Sequence, residues 1–363
     1  MRILHCINSP HIGGIERLVI ELAIEQQKKE IDVSIMLDTR NGHFYDYLIS
    51  KNLSILDSGI KGGFDINPKT YKRLKLIFNT FDVIHLHSFS ALRSAAAKAS
   101  KAKVVYTIHG LSKGIRSENP VKYWFREKIK QYYLGTVNVF VANSRYTLSK
   151  AKSNYKINNK KSKVILNGVK IEHIEKQQHK ASNKEFVIGL MSRFTFRKRV
   201  DRLLNAFKSF LEKGGSAKLV LVGDGEAYVA IQQQIKELNL QASTELVGYV
   251  EDTNHYYTKF DILVHPSDNE GFGLVAVEAY LHGLPVLAFK DSGGLKEVVE
   301  PLEPKNIVKD EEELTTRLLY YAQNRNKIDA KREKRISYVK NKFSIQRMEQ
   351  DYYNIYKSLL RWQ

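Results

Sequence analysis

A glycine-rich turn precedes a predicted helix in the segment HPSDNEGFGLVAVEA, residues 265–279. Gly271 and Gly273 bracket Phe272, and the apolar run that begins at Leu274 predicts the helix. The first turn of a helix has backbone N–H groups without partners inside the helix, and glycine lets a ligand approach them closely. The N–H groups from Gly271 to Leu274 therefore suit an anionic or hydroxyl-rich ligand.

Two acidic residues flank this turn at a spacing of eight positions. Glu270 enters the loop and Glu278 lies on the predicted helix. If the intervening residues were helical throughout, the two would be roughly 12 Å apart, too far to act on one reacting atom. The spacing suits two acceptors that hold two ends of an extended polar ligand. A second interpretation of Glu278 is a buried acid paired within the protein, because an unpaired buried carboxylate is costly.

The elements that would position these groups alternate along the chain between apolar runs and amphipathic stretches. This pattern predicts parallel sheets with helices on both faces. Predicted strands begin at Arg2, Asp32, Asp82, Lys103 and Val137, and then at Glu185, Ala217, Ser243, Asp261 and Leu284. Predicted helices include residues 16–28, 71–78, 200–213, 227–238 and 345–362.

The pattern occurs twice, and the join falls at the turn Asn167-Gly168-Val169. We therefore predict two doubly wound domains, residues 1–168 and 169–344, with the polar stretch 172–184 as a linker. We expect the tail, residues 345–363, to pack back on the first domain. Ligands bind such folds outside the carboxyl ends of the strands, so functional residues should follow strands.

Composition and cysteine content favour a reducing compartment. The 363 residues include 43% hydrophobic residues and one cysteine, Cys6, which cannot form an internal disulfide. Residues 1–8 lack a basic leader and predict a first strand, not a signal peptide. No apolar run approaches the roughly 18 residues of a membrane span. We expect a cytoplasmic protein.

Positive charge is concentrated in the first half of the chain. The formal net charge is +19, and residues 83–163 hold 17 Lys and Arg against two acids, Glu118 and Glu127. Such a field attracts phosphates of anionic lipid, nucleic acid or a phosphorylated substrate. General solubility is the alternative explanation.

The segment 265–279 resembles the signature of glycosyltransferase family 4, in which two glutamates flank seven residues after a strand. Other segments resemble the family's motifs in the family's order: Gly13-Gly14-Ile15-Glu16-Arg17, Thr107-Ile108-His109-Gly110, Ala142-Asn143-Ser144, Leu166-Asn167-Gly168-Val169, Arg193 with Lys198, and Val222-Gly223-Asp224-Gly225. Each glycine loop alone is a weak signal, whereas the ordered set is strong.

The resemblance implies an α/β protein of the GT-B fold, with two facing Rossmann-like domains and a deep cleft between them. It implies a retaining hexosyltransferase whose first domain binds the acceptor and whose second binds a nucleotide-sugar donor. A UDP-sugar is the favoured donor.

The family's roles transfer to this chain residue by residue. Arg193 and Lys198 would hold the diphosphate, where fixed cations stabilise the charge that develops on the leaving group. A second interpretation of Lys198 is a solvated basic run with its neighbours Arg197 and Arg199. Arg199 stands where the family usually has glycine, so the local backbone is expected to differ.

The remaining donor contacts also come from the resemblance. Glu278 would accept the ribose hydroxyls, Glu270 and the N–H groups of residues 271–274 would meet the sugar, and Tyr249 and Val250 would border the base. His109 would contact the donor sugar near the reacting carbon. Catalytic roles are thus expected for His109, Glu270, Arg193 and Lys198.

Gly13 and Gly14 would let the backbone of the first domain approach the phosphate and the acceptor. His11, beside them, is the plausible general base if the reaction inverts configuration. The family retains configuration and needs no such base. His85 and His87 alternate to one face of a strand, and packing alone explains them equally well.

Two cations with backbone donors can replace a metal ion at a diphosphate. No Asp-any-Asp pair follows a predicted strand convincingly, so we predict no metal and no cofactor.

The acceptor side carries a basic amphipathic helix. Its apolar stripe is interleaved with Lys122, Arg126, Lys128 and Lys130, and consists of Val121, Trp124, Phe125, Ile129 and Tyr132. Such a helix can lie in an anionic membrane surface or pack against the sheet, and the sequence leaves both open. Because many family members extend lipid-linked saccharides, we favour a lipid-linked glycan, or a lipopolysaccharide or capsule precursor, as acceptor. The protein would then be peripheral on the cytoplasmic face of the inner membrane.

Two other function classes stay open. One is a GT-B enzyme of different reaction: an epimerase of sugar nucleotides, or a phosphorylase, for which no lysine-bound pyridoxal phosphate site is recognisable. The other is a nucleic-acid-binding protein, for which the chain lacks a recognisable RNA-binding motif.

Overall fold

The computed structural model describes residues 1–9, 14–42, 45–62, 65–110, 119–158, 161–171 and 185–361. The chain divides into two compact units. The first contains residues 1–168 together with 345–363, and the second contains residues 169–344. His11, Gly13 and the predicted linker 172–184 lie outside the described residues.

The first unit is a seven-stranded parallel sheet covered by helices on both faces. The strand order is β3-β2-β1-β4-β5-β6-β7. The strands are β1 Arg2–Ile7, β2 Asp32–Leu37, β3 Ser54–Asp57, β4 Val83–Leu86, β5 Lys103–Ile108, β6 Val139–Ala142 and β7 Ser162–Val164. The helices are α1 Gly14–Lys28, α2 Tyr45–Ser50, α3 Pro68–Phe78, α4 Ala91–Lys98, α5 Pro120–Leu134, α6 Arg145–Tyr155 and the C-terminal α15 Ile345–Leu360.

The tail helix α15 packs against α1 in this unit. Met348 and Tyr352 are buried, and Ile355 and Leu359 pack partly buried on the same core. These are the positions that the sequence places on one face of the helix, and their burial gives the tail its apolar contact with the sheet. The opposite face of the sheet is covered by α3, α4, α5 and α6.

The second unit is a six-stranded parallel sheet in the order β10-β9-β8-β11-β12-β13. Its strands are β8 Val187–Met191, β9 Lys218–Val222, β10 Thr244–Gly248, β11 Ile262–His265, β12 Val286–Phe289 and β13 Ile307–Val308. Its helices are α7 Val200–Glu212, α8 Tyr228–Glu237, α9 Asn254–Tyr257, α10 Leu274–Leu281, α11 Gly294–Val299, α12 Glu311–Gln323, α13 Asn326–Asp329 and α14 Arg332–Lys342. Leu203, Leu204, Phe207 and Phe210 form the buried face of α7.

Each predicted strand start lies within two residues of a strand in the structure. The predicted starts leave out β3, β7 and β13. All three are short and lie at an edge of their sheet, where burial on both faces does not impose an apolar run.

Candidate functional site

The two ends of an ion pair come from different loops of the second unit. Lys198 follows β8, Glu270 follows β11, and the Lys198 Nζ lies 2.5 Å from the Glu270 Oε1. Both side chains keep partial exposure, 22% and 18%. β8 and β11 are neighbouring parallel strands, so their carboxyl ends bring these loops together. Lys198 is therefore held in an ion pair and is not a freely solvated member of a basic run.

His265 adds a third group at this point. Its Nε2 lies 3.6 Å from the Glu270 Oε1 and 3.0 Å from the Ser267 Oγ. Burial lowers the pKa of His265, so the imidazole is neutral near pH 7. Burial alone would raise the pKa of Glu270, but the interactions with His265 and Lys198 outweigh it and lower that pKa well below its ordinary value. Glu270 is a carboxylate throughout the physiological range.

The helix α10 begins directly after Gly273, whose φ of +90° lies in the left-handed region. A side chain there would also collide with Leu295, since an added Cβ would lie 2.5 Å from a Leu295 methyl carbon. No side chain caps this helix end. The helix starts only at Leu274, so the predicted helical spacing of about 12 Å between the two glutamates does not apply. The Phe272 ring is buried and packs edge-on against Phe343. Phe272 can therefore offer a ligand only its backbone groups.

Arg193 stands on a loop that is fixed by two glycines. The backbone of Ser192 and Phe194 lies so close to Gly223 and Gly225 that an added Cβ would fall 1.8 Å and 2.4 Å from their carbonyl oxygens. The Phe194 N–H also donates to the Asp224 carbonyl, 2.8 Å. Only glycine fits these two positions, and the result is an exposed Arg193 on a constrained backbone.

Arg199 adopts the left-handed conformation, with φ of +48°. The backbone at this position therefore has a conformation that suits the usual glycine, contrary to our expectation of a different local path. A two-point contact with Asp201 accompanies it, with the Arg199 Nε 3.0 Å from Oδ1 and Nη2 2.9 Å from Oδ2. Left-handed geometry costs a non-glycine residue about 1–2 kcal/mol, which this charged pair helps to offset.

Glu278 has a partner within the unit. The Tyr257 hydroxyl donates to the Glu278 Oε2 at 2.7 Å, and the glutamate is partly exposed. Tyr257 itself is buried and stacks on His282. Tyr249, half-exposed, and Val250 follow β10 on the same sheet. Sequence reasoning gave no role to Tyr257 or His265. Tyr257 ends α9 and belongs to no recognisable spacing, whereas His265 ends β11 and is the first residue of the segment 265–279.

The first unit contains a group of histidines on one face of its sheet. His5 on β1, His85 and His87 on and after β4, and His109 after β5 occupy alternate positions that point to the side of α1 and α15. His5 and His85 are fully buried, and His87 nearly so. The sequence had left packing as a sufficient explanation for His85 and His87. In the structure both side chains form hydrogen bonds. The structure also places His5 in this group, and the alternation of residues along β1 could have predicted that position.

His109 is held at both ends. Its backbone carbonyl accepts from the Asn143 Nδ2 at 2.7 Å, and its Nε2 lies 3.0 Å from the His87 Nδ1. Burial lowers the pKa of His109 to about 4. Its Nδ1 is shielded from solvent and has no partner within the part of the chain that the structure describes.

A buried arginine lies at the carboxyl ends of β1 and β2. The Arg93 guanidinium contacts the Asn8 Oδ1 at 2.9 Å, the Asp38 Oδ2 at 3.1 Å and the Ile7 carbonyl at 3.3 Å. Arg93 therefore holds the backbone just before the glycine loop. The sequence analysis did not single out this arginine. Gly14, the described end of that loop, is exposed at the start of α1.

The apolar stripe of α5 faces solvent. Val121, Trp124, Phe125 and Tyr132 are 55–61% exposed, and Ile129 is 38% exposed. Leu134, at the end of the helix, is buried in the sheet core. Packing against the sheet, one of the two explanations left open, is thus not what this stripe does within the unit.

Comparison with known proteins decides the family. The model for "Glycosyltransferase Family 4" matches residues 12–173, and the model for "Glycosyl transferases group 1" matches residues 172–342. An uncharacterized 41.2 kDa protein in the cps region of Klebsiella pneumoniae is 31% identical over 303 residues, 78% of this chain and 80% of that protein.

The chain belongs to the group 1 glycosyltransferases. This glycosyltransferase is also 28% identical over 193 residues to the capsular polysaccharide biosynthesis glycosyltransferase CapM of Staphylococcus aureus, a match of 52% of this chain and 50% of CapM. Solved structures of Anabaena Alr3699/HepE, one with UDP and one with UDP-glucose, have the same fold, with TM-scores of 0.83 and 0.80 at 21% identity. Each comparison covers 99% of this chain and 100% of that one. The fold is GT-B.

Proposed function

We propose that this glycosyltransferase transfers a hexose from a UDP-sugar to a lipid-linked saccharide or related envelope precursor, with retention of configuration and without a metal ion. The observation that carries the proposal is the group of fixed charges at the carboxyl ends of β8 and β11. Arg193 and Lys198 both follow β8, and Lys198 pairs with Glu270 shortly before the uncapped start of α10, where backbone N–H groups attract anions.

This arrangement of charges suits a nucleotide-sugar donor. A nucleoside diphosphate gains charge as the bond to the sugar breaks, and the two cations and the helix start would stabilise it. Glu278, oriented by Tyr257, would accept the ribose hydroxyls. Tyr249 and Val250 would border the base. UDP as the nucleotide is supported by the bound ligands named for the HepE structures.

Retention is supported by the state of Glu270. A general acid or base must exchange a proton near the working pH, and the low pKa of Glu270 prevents this. The charge of Lys198 also occupies one of its oxygens, which lowers its value as a nucleophile. We therefore propose a same-face substitution, in which the departing phosphate takes the acceptor's proton.

The acceptor side is proposed from the surface of the first unit. α4, eight residues long and rich in alanine, lies between the longer α3 and α5, so the surface dips between them. A groove of about 650 Å³ results. Its apolar lining includes Tyr71, Ala91, Leu92, Ala95, Ile129 and Tyr132. Two charged residues, Lys128 and Asp65, also line the groove. Hydrocarbon beside Lys128 suits a lipid with an anionic head group, and the relative in capsule synthesis is consistent with an envelope glycan.

No described helix has the length and apolar character needed to cross a bilayer. Membrane contact through the exposed stripe of α5 would therefore be peripheral. The stripe is flanked by Lys122, Arg126 and Lys128, which would meet lipid phosphates.

Proton NMR of the first product tests the reaction. We expect the new glycosidic bond to have the donor's anomeric configuration, with a lipid-linked saccharide as acceptor. An inverted anomeric coupling, together with loss of turnover in His11→Ala, would show that His11 is a base and that the mechanism is wrong. Release of free UDP and an epimerised sugar in the absence of acceptor would identify an epimerase instead.

A further inference from the structure

The buried histidines of the first unit form an unbroken line of hydrogen bonds. The Gln26 Oε1 lies 2.7 Å from the His5 Nε2, the His5 Nδ1 lies 2.9 Å from the His87 Nε2, and the His87 Nδ1 lies 3.0 Å from the His109 Nε2. The line crosses the centre of the sheet from α1 to the end of β5. It ends at the His109 Nδ1, which is without a partner among the described residues.

A second branch of hydrogen bonds lies beside this line. The Tyr356 hydroxyl of α15 lies 2.6 Å from the His85 Nδ1. The His85 Nε2 lies 2.7 Å from the Thr107 Oγ1. His85, Thr107 and Tyr356 of this branch are fully buried, whereas the line of histidines ends at His109, which is partly exposed.

These imidazoles could instead share a metal ion, because nitrogens of His5, His85 and His87 lie within 4.8 Å of one another. However, all six ring nitrogens of these three residues already have hydrogen-bond partners. A metal would have to displace some of these partners. The group also lacks a carboxylate to balance a divalent charge in a buried place.

Burial keeps all four imidazoles of the line neutral near pH 7. It lowers the pKa of His5 to about 4, and it holds the pKa values of His85 and His87 well below their ordinary value. A neutral imidazole has one N–H donor and one bare nitrogen that accepts. A line of such rings therefore has a single direction, and whichever group stands at its end sets that direction for every member.

Gln26 sets it here. Its carbonyl oxygen can only accept, so His5 must donate from Nε2, His87 from Nε2, and His109 from Nε2. The oxygen of the amide is the atom that faces the His5 Nε2, at 2.7 Å. The Gln26 Nε2 is buried and has no hydrogen-bond partner among the described residues.

We propose that Gln26, His5 and His87 act as positioning residues that hold His109 in the tautomer with its proton on Nε2, so that Nδ1 offers a lone pair to a hydroxyl of the donor sugar. The identity of the ligand rests on the function proposed above, whereas the tautomer does not. His109 then orients the sugar as a hydrogen-bond acceptor and removes no proton.

Nitrogen-15 NMR of the histidine-labelled protein tests the tautomer directly. Couplings from the ring C–H protons identify the protonated nitrogen, and His109→Gln assigns the signal. We expect the proton of His109 on Nε2. Gln26→Met keeps the apolar volume but removes the acceptor, and it should produce a mixture of tautomers at His109. Gln26→Glu keeps an acceptor and should preserve the wild-type tautomer.

Tyr352→Phe is the matched control, because Tyr352 contacts Thr107 in the other branch, with 3.0 Å between oxygens. It should leave the His109 signal unchanged. A wild-type proton on Nδ1, or a His109 tautomer that Gln26→Met does not alter in a folded protein, would overturn the proposal. Stoichiometric zinc retained by the purified protein and lost in His85→Gln would do the same.

A scan of UDP-sugars with single hydroxyls replaced by fluorine tests the ligand. Fluorine cannot donate a proton, so one analogue should bind roughly three- to tenfold more weakly than its parent, and the difference should vanish in His109→Ala. If no analogue shows this pattern while UDP still binds, His109 does not accept from the sugar. If UDP itself does not bind, the proposed function fails while the NMR result stands.

Discussion

The Lys198 ammonium and the Glu270 carboxylate lie 2.5 Å apart, although 72 positions separate them in the chain. The pairing places a cation at the carboxyl end of β8 and holds a carboxylate ionised at the end of β11. A second contact joins the same two loops, since the Arg197 Nη2 donates to the Asn269 carbonyl at 3.0 Å. The pair links the expected phosphate and sugar contacts into one rigid unit.

Lys198→Met should lower kcat by roughly a hundredfold or more, because the charge that develops on the leaving diphosphate loses a fixed cation. Steady-state kinetics with a UDP-sugar donor measures the effect. Lys208→Met is the matched control, since Lys208 pairs with Glu212 on the exposed side of α7. Equal kcat for Lys198→Met and the control would remove Lys198 from the mechanism.

Glu278→Ala should weaken UDP binding by about 1.5–3 kcal/mol, the usual value of a hydrogen bond to a charged group. Tyr257→Phe should have a smaller effect, because it frees the carboxylate without removing it. Calorimetry with UDP gives both values, and Glu300→Ala, in an exposed pair with Lys296, is the control. Unchanged affinity in Glu278→Ala would disprove the ribose assignment.

Turnover should persist in EDTA, because Arg193 and Lys198 supply the positive charge that a divalent ion would otherwise provide. The measurement is product formation after dialysis against the chelator. Activity abolished by EDTA and restored by magnesium or manganese would show that the two cations do not suffice.

Replacement of Trp124 and Phe125 by alanine should weaken binding to anionic vesicles by roughly tenfold or more, since each ring would otherwise bury apolar area in the membrane. Both side chains are more than half exposed, so the fold should tolerate the change. Vesicle sedimentation measures the binding. Val229→Ala, an exposed apolar residue of the second unit, is the control. Binding that is equal in all three proteins, or equal for neutral vesicles, would contradict membrane contact through α5.

The first unit should lose stability as the pH falls from about 6.5 to about 4. The folded-state pKa values of His5 and His109, about 4, lie below the ordinary 6.5, so the unfolded chain binds more protons in this window. Each group then contributes up to about 1.4 kcal/mol per pH unit. Urea midpoints at pH 7.5, 6.0 and 5.0 measure this, and His109→Gln should show a weaker dependence. A dependence that is identical in the variant would contradict the buried neutral state of His109.

Much of the fold could be predicted because the pattern of apolar and polar residues within each segment indicates whether it is a strand or a helix. Continuous apolar runs mark strands that are buried on both faces, and the amphipathic stretches between them mark helices. The motifs around Arg193, Glu270 and Glu278 could also be found in the sequence, because a ligand loop after a parallel strand needs glycines and charges at short, fixed spacings.

Tertiary structure alone decided which of these groups meet. The alternation of His85 and His87 shows that they share a face, but not that His5 lies beside them or that Gln26 and Tyr356 cover them. Those contacts depend on strand order and on the helix that packs over the sheet. The same holds for α5, where an apolar stripe of identical pattern could be buried or exposed. Its exposure depends on which elements pack beside α5, a relation that no local pattern contains.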